Sequence, residues 1–314
     1  MYGCFEMGRD GFSPARLLTK LGIIPVPVSS TSVGTPRQVR RAKTDRLDLD
    51  RLGRGLRRWL EGEPQDEWSV VRIPPPEAEA KRQVVRERDS LVRARTRLKN
   101  KIRSVLRLDG VEVGRLSRLA GELEAYRTLD GGPIPVERQQ QVRRLLEQLQ
   151  VVEEQIATVE QSLAEMMASP RSAAGRQMKD LLALRGIGPV GSSGTVLEMF
   201  IWRDFGSGRE VGACAGLAPT PHQSGAASHE RGISKRGPRR LRALAIELAW
   251  SWVRHQPHSR LTLWWQKRWA RGSRRERKIG IVAVARRLLI ELWRYLEEGV
   301  VPPGALFKDE PLNG

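Results

Sequence analysis

The most regular pattern of apolar positions lies in the middle of the chain. Val142, Leu145, Leu149, Val152, Ile156, Val159, Leu163 and Met166 alternate steps of three and four without a miss, which is the seam of a coiled-coil helix. Upstream, Val84, Leu91, Leu98 and Val105 recur every seven residues, and a stretch rich in Gly and Pro (Asp130 to Pro135) separates the two runs. Two long helices joined by a loop predict an antiparallel hairpin or a dimerisation arm. These apolar residues ask for nothing beyond packing.

Toward the N-terminus the pattern breaks into short pieces. Tyr2-Gly3-Cys4-Phe5 reads as the end of a strand. Ser13-Pro14 offers an N-cap and a first-turn proline to a helix over Ala15 to Leu21, which Gly22 stops. Ile23 to Val28 reads as a strand whose prolines place it near an edge. A polar loop from Ser29 to Arg41, a helix over Asp45 to Leu60 and a short strand over Trp68 to Ile73 follow. Strand, helix, strand, helix, strand predicts an α/β domain, closed by Pro74-Pro75-Pro76. From Pro170 the elements become short and rich in Gly and Arg, and read as mainly α. The expected organisation is an α/β domain over residues 1–76, a coiled-coil helical arm over 77–170, a C-terminal helical domain over 171–300 and a tail over 301–314.

Charge adds a partner to this picture. The 314 residues hold 55 Lys+Arg against 36 Asp+Glu, a formal net charge of +19. Such an excess repels itself unless a polyanion is near, and nucleic acid is the usual one. Arg231 to Arg294 alone contributes 18 Lys+Arg against three Asp+Glu, about +15, so this region is where the polyanion should bind. Trp250, Trp252, Trp264, Trp265, Trp269 and Trp293 are interleaved there. They can stack on bases or pair with arginine, or pack a core at helical spacing. Two cysteines, Cys4 and Cys214, cannot build a disulfide framework or a CxxC metal site, which fits a reducing compartment. No basic-then-apolar leader opens the chain. Its longest uncharged stretch, Val211 to Ser228, is broken by Gly, Pro and Ser and would not span a bilayer. A cytoplasmic protein without membrane contact is expected.

Three constellations could carry chemistry. Asp45 and Asp48 stand three apart on a predicted helix, so both carboxylates project from one face, and Glu6 ends a predicted strand. Acids from a strand end and a neighbouring helix can converge on Mg²⁺, and two such ions would clamp the attacking and leaving oxygens of a phosphodiester. Acidic pairs at this spacing are also common on solvated faces. The second constellation is Leu184-Arg185-Gly186-Ile187-Gly188-Pro189-Val190. A helix end, a tight turn at Gly186 and Gly188 and a new helix expose backbone N–H groups that can hold a phosphate, as in helix–hairpin–helix modules; an ordinary helix–helix turn would look the same. The third is Gly216-Leu217-Ala218-Pro219, then His222-Gln223-Ser224-Gly225, then Arg231 to Gly237. Ser224, in a polar loop facing this basic turn, could attack a phosphate, with Arg231, Lys235 and Arg236 neutralising the developing charge. A loop serine more often simply bonds to backbone. Arg239 and Arg240 extend the basic run toward nucleic acid.

Taken in order, Lys43-Thr44-Asp45-Arg46-Leu47-Asp48, the Gly-Ile-Gly-Pro turn, Gly-Leu-Ala-Pro, Gln-Ser-Gly and Gly-Ile-Ser-Lys-Arg-Gly resemble the DEDD-type insertion-sequence transposases. That family joins a resolvase-like N-terminal domain to a C-terminal serine domain and includes the bridge-RNA-guided recombinases. The likeness runs from Met1 to about Arg254. It implies an RNase H-like first domain, with Glu6 matching the family's glutamate, Asp45 and Asp48 its last two aspartates, and Ser224 the serine that holds DNA as a phosphoserine. It further implies Mg²⁺ as cofactor, element ends and target DNA as substrates, and a noncoding guide RNA whose base pairing selects sequence. A homo-oligomer, dimer or tetramer, would assemble through the coiled coil. The family's first aspartate lies on an initial strand well before the glutamate. Only five residues precede Glu6 here, so the resemblance implies a first domain truncated by its leading β-hairpin. Two other readings stay open: a catalytically inactive nucleic-acid-binding remnant of such a transposase, and a metal-dependent structure-selective nuclease that needs no serine.

Overall fold

The computed structural model describes residues 1–8, 11–29, 45–63, 68–169, 171–224 and 227–309, without the side chains of 45–48 and 221–231. Its strands are β1 (Tyr2–Met7), β2 (Ile24–Ser29), β3 (Pro219–Ser224) and β4 (Ala227–Ile233). Its helices are α1 (Ser13–Lys20), α2 (Asp45–Leu60), α3 (Pro76–Arg107), α4 (Leu116–Glu122), α5 (Val136–Ala168), α6 (Ala173–Ala183), α7 (Pro189–Glu198), α8 (Gly208–Cys214), α9 (Arg239–His255), α10 (Arg260–Trp269) and α11 (Arg274–Glu298). These form two compact units that do not follow chain order. The first joins Met1–Glu79 to Trp202–Pro238, and the second joins Ala80–Ile201 to Arg239–Gly314. The four consecutive segments expected from the sequence are thereby regrouped.

In the first unit β1 and β2 run parallel, from Tyr2 opposite Ile24 to Met7 opposite Ser29, with α1 as the crossover. Phe12 and Ala15 are buried beside it, as are Val26 and Val28 of β2. Gly22, at φ 73°, ends α1, and Ile23 N–H donates back to Leu18 O at 2.9 Å. The helix begins one residue earlier than the Ser-Pro signal suggests: Phe12 is the N-cap, no side chain caps it, and Ser13 is already helical. Trp68 to Ile73 forms no full strand. It contributes one isolated antiparallel bridge, Val70 to Val28, flanked by Ser29 N–H to Ser69 O at 2.9 Å and Val71 N–H to Pro27 O at 2.7 Å.

β2 is an edge of this two-stranded sheet, as its prolines suggested, and its outer side carries the single bridge to Val70. Ile24 N–H donates toward β1, to Met1 O at 2.9 Å. Residues alternate along a strand, so Pro25 and Pro27 fall on the far side, where their missing N–H groups cost the parallel ladder nothing.

α2 lies on β1 in a definite direction. The Tyr2 ring meets Trp59 edge-on at 6.5 Å, and the Cys4 thiol donates to Leu52 O at 3.6 Å. Gly55 allows α2 to sit against Trp68, since a Cβ there would stand 2.0 Å from the indole.

The second unit contains the long helices. Arg88 pairs with Glu160 at 2.6 Å and Lys99 with Glu153 at 2.7 Å, so α3 and α5 run antiparallel. All eight seam positions of α5 are buried or half-buried within this chain. At the tip, Ile102, Leu106, Leu119, Leu123 and Ile134 close a small core with Val142. Near the other end, Gly191 and Gly194 of α7 bring that helix onto Leu248 and Leu244 of α9, where an added Cβ would stand 2.6 and 2.7 Å from a leucine methyl.

Two serine N-caps start the last helices. Ser259 accepts from Thr262 N–H at 3.2 Å, and Ser273 with Glu276 forms a reciprocal capping box. The expected tail is part of this unit: Phe307 bridges Leu184, and Lys308 N–H donates to Ala183 O at 2.9 Å. No helix among the described residues is long and apolar enough to cross a membrane.

Candidate active site and nucleic-acid interface

Glu6 is an exposed residue near the end of β1, and Asp45 and Asp48 lie in the first turn of α2. The side chains of the two aspartates fall outside the described residues. Their backbone placement still has a direction. Tyr2 faces Trp59 and Cys4 faces Leu52, so α2 runs back along β1 as β1 advances. The next step along β1 carries Glu6 toward the end of α2 that begins at Asp45. Among the described side chains, no three acids, histidines or cysteines come together.

Ser224 is the last residue of β3, with Ala227 of β4 as its Cα partner. It stands at the tip of a β-hairpin rather than in a loop, and Gly225 lies outside the described residues. The sequence expectation that the basic turn faces Ser224 is corrected by this register. Pro219 pairs with Ile233 at the hairpin's base, and Lys235 and Arg236 follow Ile233. The base and the tip are five residues apart along β3, roughly 16 Å. Arg231 belongs to β4, between tip and base, and its side chain is outside the described residues.

The basic turn is built against the Gly-Leu-Ala-Pro segment instead. Ser234 N–H donates to Ala218 O at 2.8 Å and Lys235 N–H to Gly216 O at 3.1 Å. Lys235 holds φ 56°, in the left-handed region where a non-glycine residue is strained. Gly237 is required by contact, because a Cβ would stand 2.4 Å from Cys214 O. Burial pushes the Cys214 thiol up, against the pull of the Arg203 guanidinium that it bonds. The two glycine-rich motifs are thus one interlocked structure, and Lys235 and Arg236 project from it exposed.

Gly186 turns at φ 80° between α6 and α7, and Gly188 is the N-cap of α7. Gly188, Pro189 and Val190 are exposed, and a first-turn N–H such as that of Val190 has no acceptor within its own helix. Beside the turn lies a groove of about 310 Å³ lined by Arg185, Gly186, Arg254, His255, Pro257 and Lys308. Burial lowers the Lys308 ammonium's pKa, against the pull of Asp309; its Nζ donates to Ile187 O at 3.0 Å.

Sequence reasoning missed the residue that holds this turn. Gln256, fully buried, donates Nε2 to Arg185 O and Leu306 O, both at 2.9 Å, and accepts from Leu306 N–H at 2.7 Å. Nothing in the sequence marks a lone glutamine whose partners lie 71 and 50 residues away.

Of the remaining basic candidates, Arg239 is exposed, whereas Arg240 is corrected to a structural role. Its guanidinium reaches Asp89 at 2.9 Å, Glu198 at 3.1 Å and the Val85 carbonyl at 2.7 Å. Burial lowers its pKa, Asp89 and Glu198 pulling the other way. Its donors are occupied within the fold.

A family model described as the Transposase IS116/IS110/IS902 family matches residues 178–263, from α6 through the hairpin to α10. "Putative transposase y4rJ" of Sinorhizobium fredii is 41% identical over 313 residues, covering 96% of this chain and 78% of its own length. The chain belongs to the IS116/IS110/IS902 transposase family. "Probable family 20 transposase" of Pseudomonas aeruginosa is 33% identical over 217 residues, covering 68% of this chain and 62% of its own length. "Transposase for insertion sequence element IS1328" of Yersinia enterocolitica is 27% identical, with 69% and 62% covered. The family match includes the Gly186 turn, Ser224 and the interlocked Gly216 and Gly237 motifs; Glu6, Asp45 and Asp48 lie before it.

Proposed function

We propose that this chain is an insertion-sequence transposase that cuts and rejoins DNA with Ser224 as nucleophile and with Mg²⁺ held by Glu6, Asp45 and Asp48. The observation that carries the reading is the composition of the first unit. One compact body contains the β1–α2 end with its three acids and also the hairpin with Ser224. The Arg72–Asp204 ion pair ties the two stretches, 132 residues apart.

The donor set fits the metal, since carboxylate oxygens are the ligands a hard divalent cation prefers. When bound, Mg²⁺ polarises phosphate oxygens and offsets the charge that develops on them. Ser224 Oγ attacks a backbone phosphorus, forming a Ser–O–P bond while one P–O bond to deoxyribose breaks. The serine proton ends on the departing deoxyribose oxygen. Attack by a deoxyribose hydroxyl of another strand reverses the step and frees the serine. An RNase H-like first domain and a guide RNA that selects the sites accord with the motifs and with a second unit rich in arginine. The exposed Gly188–Val190 turn, Arg236 and Arg239 hold phosphates.

A second reading, a metal-dependent nuclease, draws on one observation. Lys235 and Arg236 sit at the opposite end of the hairpin from Ser224, so they cannot neutralise charge at that serine within the same chain.

One experiment separates the two. The chain is incubated with Mg²⁺, a duplex bearing the ends of its element and RNA transcribed from the element's noncoding flank. Covalent protein–DNA adduct and strand exchange are then read on denaturing gels. Ser224→Ala is expected to abolish both while affinity stays within about twofold, since truncating a nucleophile removes chemistry and not binding. An adduct that persists in Ser224→Ala would sink the serine. Cleavage that survives Ser224→Ala but not Asp48→Asn would establish the nuclease.

A further inference from the structure

The tryptophans of the basic region do not share one role. Trp252 is fully buried and donates its indole N–H to Ser259 Oγ at 2.9 Å, which makes it core. Trp264 is only half-buried and stands between two hollows. One, of about 500 Å³, is lined by Arg287, Ile290, Glu291 and Arg294; the other, of about 440 Å³, by His258, Leu263, Lys267 and the Pro303-Gly304 turn. Arg260 and Trp264 border both.

The indole is held as a platform. Trp269 meets it edge-on at 4.7 Å, and the Arg287 guanidinium stacks 3.9 Å above the ring. Arg260 is fixed by Glu291 at 3.1 Å, Lys267 is exposed, and Arg294 is also exposed, held only by a solvent-facing pair with Glu298 at 3.1 Å that a phosphate can displace. The trough therefore combines an apolar floor, one stacked Trp–Arg pair and an excess of positive charge.

We propose that this α10–α11 trough binds a single-stranded nucleic acid. An unpaired base stacks at Trp264–Arg287, and the flanking phosphates are neutralised by Lys267 and Arg294. A stacking platform needs a base whose face is free, which a duplex withholds, and stacking with backbone charge tolerates any sequence. The donors present are backbone-neutralising cations, so RNA and DNA single strands are equivalent ligands here. The inference rests on the nucleic-acid reading above but uses neither Ser224 nor the three acids, and most of the trough lies beyond the family match.

Its test is fluorescence anisotropy of the whole chain with three labelled 12-nucleotide probes of mixed sequence: single-stranded RNA, single-stranded DNA and a DNA duplex. Trp264→Leu and Arg287→Gln are each expected to weaken both single strands about tenfold and the duplex by less than about twofold, as loss of one stacked base requires. Lys267→Gln with Arg294→Gln should flatten the single-strand salt slope by about 1.4, about 0.7 for each phosphate. Arg287→Gln removes the stack without touching the Trp264–Trp269 contact, so the test stands even if Trp264→Leu unfolds.

Unchanged single-strand affinity in Arg287→Gln overturns the proposal. So does equal weakening of duplex and single strand, which marks a plain electrostatic patch. Competition by polyglutamate as strong as by the single strand overturns it in favour of an acidic protein partner. Failure of this test leaves the Ser224 adduct experiment untouched, and a failed adduct experiment leaves this trough standing.

Discussion

Arg239 and Arg240 are neighbours in the chain, and the fold gives them different partners. Arg239 opens α9 exposed, while Arg240 completes a network with Asp89, Glu198 and, through Glu198, Arg86 at 2.9 Å. Glu198 is only 4% exposed, so it depends on its two arginines. Removing one partner of a buried ion group leaves charge uncompensated at a cost of about 3–5 kcal/mol. The arginines keep partial exposure, which lowers the expected cost of Arg240→Gln to about 2–3 kcal/mol. Thermal unfolding should detect that loss, with an unchanged salt slope of nucleic-acid binding. Arg239→Gln should do the reverse, with stability within about 0.5 kcal/mol and a duplex salt slope flatter by about 0.9. A loss of affinity without loss of stability in Arg240→Gln would show the network to be incidental. The sequence placed both arginines on nucleic acid because a basic run does not reveal that one member meets an aspartate 151 positions upstream.

Helix α2 shows how much of an element is legible from sequence and how much is not. Its bounds as read from the sequence, Asp45–Leu60, are those of the structure. The heptad seam of α5 was equally legible, since periodicity is a property of the sequence itself. The strand over Trp68–Ile73 was not. β-branched and aromatic content describes a half-buried surface rather than a ladder, and only one bridge forms there. What α2 rests on was also invisible. Gly53 has nothing within 4 Å of an added Cβ, whereas Gly55 would put one 2.0 Å from Trp68. Alanine favours a helix over glycine by about 0.8–1 kcal/mol, and overpacking costs about 1–3 kcal/mol. Gly53→Ala should therefore stabilise the first unit by somewhat under about 1 kcal/mol, while Gly55→Ala should destabilise it by about 1 kcal/mol, the net of clash and propensity. Denaturant titration of the two variants checks the sign. Equal stabilisation by both would mean that α2 does not rest on Trp68.

At the scale of the whole molecule, the proposed chemistry and the charge are divided between units. The first unit carries the three acids and Ser224, and the second carries most of the arginine-rich run from Arg239 onward. Sequence order hid this division, because residues 202–238 join a partner stretch more than a hundred residues upstream. The α5 seam is likewise covered by its own chain, so an oligomer would have to use other faces of the helical arm. A net charge of +19 concentrated in a unit without the proposed nucleophile predicts that binding and cutting separate. Binding is then governed by counterion release, with log affinity for duplex DNA falling by about 0.9 per neutralised phosphate for each log unit of salt. If the second unit neutralises about six phosphates, affinity should drop about a thousandfold between 50 and 200 mM salt. Ser224→Ala, Asp45→Asn and Asp48→Asn should keep that slope, because they leave the arginines in place, while strand exchange is lost in all three. Measuring affinity across this salt range for wild type and the three variants decides the matter. A slope that falls in step with activity would mean that the first unit holds most of the phosphates, beyond the one at Arg236, and the division between units would then fail.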